Sequence, residues 1–418
     1  MMQEQTDKMK LYFWGTGNGC EKALANFTGD ANILGFIDNN PSQHGKSFYN
    51  KKVTGFHEVK KDFDYIIVTV KDFDSVIYQL EKNKVDLSKV LFYFDGSQRE
   101  ERLKPFFDIK GWKIDILEER ILKLEQLLEI NTSNIGYEIA DKIQKGKYQF
   151  PILHSDEEAV TRIVNERCSL IRFGDGEFEI MAGKNRAPFQ DCDENLSEKL
   201  KAAVTTDNEN ILIAIADNYG DLNIYTEQYA FGIREYMTEE VRAFHSSVLL
   251  PNKVYYNAYM FKCYLPYKDK NGTQNRINLI KRIWNQRDVV LVEGNQTRTG
   301  QGNDLLDNAK SVRRILCPTK NAFTYYNEIL HEVKKVSTEN MILFALGPAG
   351  KVMACDLISL GYQVIDIGQL DIDYEWYRAG KEMRVPVPTK YVAELPPAEI
   401  EEISDPKYAN EIIAYIHG

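Results

Sequence analysis

Short runs of consecutive apolar residues alternate along this chain with amphipathic stretches of helical period, and the runs are rich in β-branched and aromatic side chains. In the N-terminal part they fall at 11–14, 33–37, 65–70 and 90–94, with helical segments predicted over about 21–27 and 73–83. A run that is apolar at every position is buried on both faces, which is how strands of a parallel sheet read when helices cover both sides. A second series begins at 169–173 and continues at 211–216, 289–294, 341–346 and 363–367. Helices are predicted over 156–167, where Ser155 and Glu158 have capping-box spacing, over 194–205, from Asn303 to about Arg313, and from a turn at 347–351 to Ser359. The pattern predicts an α/β protein of two Rossmann-like, doubly wound parallel-sheet domains.

The two series are joined by a different pattern. Leu117, Ile121, Leu124 and Leu128 recur at alternating spacings of four and three, with Glu118, Glu119, Lys123 and Glu125 between them. This is a helical linker whose apolar seam suits packing against a domain as well as homodimerisation. The polar stretch Asn131-Thr132-Ser133-Asn134 is expected to end it. The organisation predicted is a small domain over 1–112, a linker over 113–150 and a larger domain over 151–418.

Composition narrows the function class. A net charge of -10 with no basic stripe argues against a broad nucleic-acid surface. The six cysteines are scattered, with no Cys-x-x-Cys and no neighbouring histidine, so neither a zinc site nor a disulfide framework is suggested. The first ten residues are polar, and no apolar run has the length of a membrane span. A cytoplasmic protein is expected.

The candidate chemistry lies where strands end. Gly15, Gly17 and Asp38 stand as in a dinucleotide-binding βαβ unit, except that the third glycine of the fingerprint falls on Cys20. Residues 10–97 resemble the small Rossmann-like modules that precede sugar-modifying domains in bacterial surface-polysaccharide enzymes, which implies a nucleotide-type pocket or its vestige. In the second series, Arg172-Phe173-Gly174-Asp175-Gly176-Glu177 presents two carboxylates at a strand-to-helix turn. That suits a divalent metal with its diphosphate, or a plain capped turn. Asp217 ends the next strand, and Glu293 ends another where it needs a partner such as Arg298, another cation or a ligand hydroxyl. Arg298 offers a bidentate fork to a diphosphate or to an acceptor group. Gly347 to Lys351 is too short for a Walker A loop but can hold an anion, and the acids of 371–375 can supply a general base or a solvated face. The candidates of the second series belong to the C-terminal edge of one sheet, where open α/β folds bind ligands.

Taken in order, Arg172 to Glu177, Val292-Glu293-Gly294 with Gly302-Asn303-Asp304-Leu305, Leu346 to Lys351, and Asp366-Ile367-Gly368 with Asp373-Tyr374-Glu375-Trp376 resemble the successive motifs of the bacterial GT-D type glycosyltransferases. The likeness covers about residues 150–395. It implies a Rossmann-like fold and transfer of a hexose of glucose type from a UDP-sugar, with Mn²⁺ or Mg²⁺, to a glycan or glycoprotein acceptor. Asp175 and Glu177 would serve the metal. The donor would be held by Arg172, Asp175, Glu177, Asp217, Glu293, Arg298, Asn303, Asp304, Gly347 and Lys351, and Glu375 with Asp373 would supply the base. The family commonly carries histidine where this chain has Gln369, which cannot take up a proton near neutral pH. The competing readings are an NAD(P)-dependent oxidoreductase or epimerase acting through Gly15 and Asp38, and an inactive nucleotide-sugar-binding protein.

Overall fold

The computed structural model describes residues 8–71, 73–97, 99–143, 151–184, 190–395 and 399–417. By its contacts the chain divides into two compact units, Met1–Glu129 and Ile130–Gly418.

In the first unit, the described residues form six strands, β1 (Lys10–Trp14), β2 (Asn32–Ile37), β3 (Ser47–Phe48), β4 (Lys51–Thr54), β5 (Tyr65–Val68) and β6 (Val90–Phe92). They lie in the order β3-β4-β2-β1-β5-β6, parallel except for the β3–β4 hairpin. Successive β1 side chains go to opposite sides: Leu11 and Phe13 join one core, Tyr12 and Trp14 the other. That two-sided burial is why the strand reads as an unbroken apolar run. The close helix-strand approach expected of the missing fingerprint glycine is made one residue earlier. A Cβ on Gly19 would run into the Thr69 carbonyl oxygen, while Cys20 is buried with its thiol pushed up to about 12 by burial.

The linker is one helix, Ile109–Ile143, and it does not stop at Asn131. The polar residues there are satisfied without leaving it. Ser133 Oγ donates to the Ile130 carbonyl at 2.9 Å, and the Asn134 amide donates to the Ile130 and Arg234 carbonyls at 2.8 and 3.0 Å. Residues 144–150, the end of the predicted linker, lie outside the described residues.

The described residues of the second unit carry β7 (Ile152–His154), β8 (Ser169–Phe173), β9 (Ile211–Ile215), β10 (Val254–Asn257), β11 (Asp288–Gly294), β12 (Ser311–Cys317), β13 (Met341–Ala345), β14 (Gln363–Asp366) and β15 (Ile412–Tyr415). All pair parallel in the order β15-β12-β11-β13-β14-β8-β9-β10-β7. The helix predicted from Asn303 is absent. Residues 303–310 form turns, with the Asn303 carbonyl oxygen of the side chain accepting from Leu305 N and the Asn308 amide donating to the Lys281 carbonyl. The Asn303 side chain satisfies the backbone locally, Asn308 ties the segment to Lys281, and Leu305 and Leu306 supply the burial.

The sheet has a core on each face. Ile171, Ile213, Val292 and Phe344 pack with the helices Asp175–Met181, Glu194–Thr205 and Gly347–Ser359. Leu170, Leu212, Leu291 and Leu343 pack with Asp156–Asn165, Thr273–Lys281 and the start of Leu370–Arg378. Strands β8 and β14 are neighbours, yet the helix after β8 joins the first core and the helix after β14 the second. Connections that leave adjacent strands for opposite faces open a crevice at their C-terminal ends. Among the described residues, no helix is long and apolar enough to cross a membrane.

Candidate functional site

The floor of the β8/β14 crevice is a quartet of charges, three of them buried and the fourth, Arg172, partly so. Lys351, in the first turn of Gly347–Ser359, has its Nζ 3.0 Å from Asp366 Oδ2 and 3.3 Å from Glu177 Oε1. Arg172 donates from Nε to the Asp366 carbonyl at 2.9 Å and from Nη1 to the Ala258 carbonyl at 3.1 Å, with Nη2 3.7 Å from Asp366 Oδ1. Burial works against every one of these charges. Burial alone would lower the Lys351 pKa, but Asp366 and Glu177 outweigh it and hold the ammonium above its ordinary value. Burial likewise pulls the Asp366 carboxyl upward, and Lys351 and Arg172 overcome it to hold that carboxyl below the usual range. Gly368, at φ +50, lets the guanidinium lie against the backbone, since a Cβ there would overlap Arg172 Nη2.

The two carboxylates of the Asp-x-Glu turn are placed differently. Glu177 is buried and turned back, its Oε2 accepting from Gly174 N at 2.8 Å while Oε1 meets Lys351. Asp175 is half-buried at the mouth, and its Oδ1 accepts from the Asn218 amide at 3.1 Å. Asn218 is in turn fixed by the Tyr259 hydroxyl at 2.8 Å. Next to it, Asp217 accepts from the Tyr225 hydroxyl at 3.1 Å, and burial lifts its carboxyl to about 6.

A second network lines the helix after β14. Lys390, 3% exposed, sits 2.6 Å from Asp371 Oδ2 and 3.2 Å from Glu375 Oε1. The Asn303 amide donates to both carboxylates, at 2.7 and 2.6 Å, and Gly300 N donates to Asp371 at 2.8 Å. Glu375 keeps partial exposure, with Arg378 3.4 Å from Oε2. The sequence places Asp371 only within the acidic run 371–375, and Lys390 was not foreseen. The i, i+4 spacing of Asp371 and Glu375 was visible, but nothing local announced a lysine fifteen residues beyond Glu375.

Several residues expected at the donor site are engaged within the protein. Glu293 is 0% exposed; its carboxylate is filled by Arg314 Nη1 at 2.6 Å and Thr299 N at 2.8 Å, so it ties β11 to β12 instead of facing the crevice. Arg298 does not reach Glu293 or an open phosphate site. At φ +50, its Nη1 donates to the Thr389 and Glu401 carbonyls, both at 2.8 Å. Asp304 pairs with Lys281 at 3.1 Å and accepts from the Tyr374 hydroxyl at 2.6 Å, which helps hold its carboxyl below the usual range. Asp373 is 3% exposed and accepts from Tyr264 N at 2.7 Å and Leu265 N at 3.2 Å, and burial raises its carboxyl to about 6. Gly347 opens its helix at φ +57, and Gln369 stands at the first cap of Leu370–Arg378 without a capping hydrogen bond.

In the first unit, Gly15 takes φ +113 and Gly17 caps the helix Asn18–Ala25. Asp38 is engaged locally. It accepts from Thr16 N at 3.1 Å, from the Thr16 hydroxyl and from Asn40 N at 2.9 Å, closing its own turns.

A divalent metal was expected on Asp175 and Glu177, and the donor set can be tested against it. Among the described residues no three His, Cys, Asp or Glu side chains converge to hold an ion. A metal held by protein alone does not fit. One carboxylate at the mouth, Asp175, does fit Mg²⁺ or Mn²⁺ arriving with a diphosphate, because such ions take most of their ligands from phosphate and water.

Comparison with known proteins bears on the whole second unit. A family profile described as "Glycosyltransferase GT-D fold" matches residues 170–395, and one described as "C2185-like, N-terminal" matches residues 7–91. A glycosyltransferase named GlyD from Streptococcus pneumoniae serotype 4 is 32% identical over 262 residues, covering 62% of this chain and 32% of that protein. A probable glycosyl transferase Gly from Streptococcus gordonii is 30% identical over 264 residues, covering 62% of this chain and 38% of its own length. The chain thus spans about a third of the length of these curated relatives. Among solved structures, a domain of unknown function 1792 described as having a distinct glycosyltransferase fold is 31% identical with a TM-score of 0.61, covering 64% of this chain and 97% of that one. A glycosyltransferase of the same domain type from Streptococcus sanguinis is 28% identical with the same TM-score, 0.61, and is covered at 100% by 64% of this chain. The likeness read from the order of the motifs is borne out.

Proposed function

Since this chain belongs to the GT-D fold family of glycosyltransferases, we propose that it transfers a hexose from a UDP-sugar to a glycan or glycoprotein acceptor at the β8/β14 crevice. The observation that carries this reading is the position of Asp175 just past the C-terminal end of β8, at a topological switch point, two residues before Glu177 and three after Arg172, whose side chains join Lys351 and Asp366 in one charge cluster.

Departure of a nucleoside diphosphate builds negative charge on the leaving phosphate, so the site must meet that charge without reorganising. Mg²⁺ or Mn²⁺ bound with the donor would supply Lewis-acid stabilisation of the leaving diphosphate. Asp175 would hold that ion, oriented by Asn218. Glu177 acts one step behind: it closes the turn through Gly174 N and fixes Lys351, so the loop keeps its shape when the donor arrives. The thirteen-residue helix Gly347–Ser359 begins at the same edge, and a helix N-terminus favours phosphate. On the acceptor side, Glu375 is the acid of the 371–375 run that retains exposure, and Asn303 and Lys390 orient its carboxylate to take the hydroxyl proton.

Incubating the protein with a panel of UDP-hexoses and Mn²⁺ tests the reading. We expect UDP release with one preferred sugar, stimulated by a glycan or glycopeptide acceptor. Release from none of the UDP-sugars, under conditions where the protein is folded, would remove the proposal.

A further inference from the structure

The helix Ile109–Ile143 carries two different apolar faces. Trp112 and Ile116 are 4% and 8% exposed and belong to the core of the first unit. On the other side Ile114, Leu117, Ile121, Leu124, Leu128 and Ile135 are 48%, 55%, 53%, 63%, 68% and 58% exposed. Their spacing is three, four, three, four and then seven, with exposed Asn131 at the intervening seam position. A globular helix turns such a stripe toward its own core, and here the stripe is exposed among the described residues.

We propose that the seam pairs with the same helix of a second copy of this chain, as a parallel, in-register, two-stranded coiled coil. In heptad terms Ile114, Ile121, Leu128 and Ile135 are at a, and Leu117, Leu124 and Asn131 at d. Isoleucine at a with leucine at d in the first two heptads is the combination that favours two parallel strands. The flanking charges select the same direction. Lys113 and Arg120 occupy g, and Glu118 and Glu125 occupy e, so a parallel pair sets Arg120 against Glu125 of the partner subunit and Lys113 against Glu118 of the partner subunit. An antiparallel pair would instead set g against g and e against e, placing like charges together. Within one chain Lys113 meets Glu100 at 2.6 Å and Glu118 meets Lys22 at 2.9 Å. Those exposed pairs exchange for intersubunit ones at small cost. Asn131 faces its own equivalent only in this register, where the two amides can bond to each other. From Ile114 to Ile135 the seam is about 33 Å long at 1.5 Å per residue.

Sedimentation equilibrium of the full chain tests this. We expect a mass near twice 48.2 kDa at tens of micromolar, falling toward one chain on dilution. Ile121→Lys with Leu124→Lys should weaken dimerisation by at least about a hundredfold, because four ammonium groups would enter the seam. Both positions are exposed, so the circular dichroism should not change. Leu117→Cys should give a disulfide-linked dimer on a non-reducing gel, a bond that requires the parallel register because the residue lies away from the midpoint of the seam. A wild-type protein that is monomeric at every concentration, a lysine variant that stays dimeric, or a dimer that Cys at 117 does not cross-link would each overturn the proposal.

Discussion

Replacing Glu375 with glutamine is expected to lower the rate of sugar transfer by about 10²- to 10⁴-fold while leaving UDP affinity unchanged. The substitution keeps the shape of the side chain. Its carbonyl oxygen can still accept from the Asn303 amide and Lys390, which stand 2.6 and 3.2 Å from Glu375 Oε1, so helix Leu370–Arg378 should keep its position. What it loses is the basicity of a carboxylate, since an amide oxygen accepts a hydrogen bond but does not take up a proton near neutral pH. The neighbouring acids cannot stand in. Asp371 is saturated by Gly300 N, Asn303 and Lys390, and Asp373 is turned to the backbone of Tyr264 and Leu265. Single-turnover transfer with saturating donor reads the effect, and transfer retained within a factor of about three would take the role of base away from Glu375.

The largest effect on stability is expected at Lys351. Lys351→Met leaves Glu177 and Asp366 buried with one cation fewer, and breaking a buried pair in this way costs about 3–5 kcal/mol. Arg172 still faces Asp366, so Glu177 is the group left most exposed to the loss, and adding Glu177→Gln should recover part of it. The sign with pH follows from the two shifts. Asp366 is held below its ordinary value, so its contribution is complete above the unfolded carboxylate pKa and is lost as pH falls through the lower folded one. Lys351 is held above its ordinary value, so its contribution is complete below the unfolded lysine pKa and is lost as pH rises through the higher folded one. The Lys351–Asp366 pair therefore stabilises the crevice across the range from about 4 to about 10. Urea denaturation at pH 7 should show the loss in Lys351→Met, and an unchanged midpoint would mean the quartet is not the brace described above.

What could be read from the sequence was whatever leaves a periodic or local trace. Runs buried on both faces gave the parallel sheets, and the glycine-acid strand ends gave their C-terminal edge. The strands β7, β10, β12 and β15 were missed because three are only three or four residues long and β12 carries two arginines, one of which, Arg314, is buried against Glu293. An arginine inside a strand reads as surface until its partner is known, and that partner lies twenty-one residues away. The same limit hid the partners of Arg298, whose acceptors at Thr389 and Glu401 are separated from it by about a hundred residues. Helix continuity through Asn131-Thr132-Ser133-Asn134 was hidden for a related reason, since Asn134 is paid for by Arg234 and Arg242 of distant helices. The Asp175-Gly176-Glu177 turn was legible as a site, but not the division of labour within it, which depends on Lys351 arriving from another strand end.

That division is the central claim, and titration calorimetry of UDP with and without Mn²⁺ tests it most directly. The wild-type protein should bind UDP more tightly by at least about tenfold when Mn²⁺ is present, and Asp175→Asn should abolish that gain while keeping the wild-type thermal midpoint. Equal UDP affinity with and without the metal, or a metal-dependent gain that survives in Asp175→Asn, would contradict it.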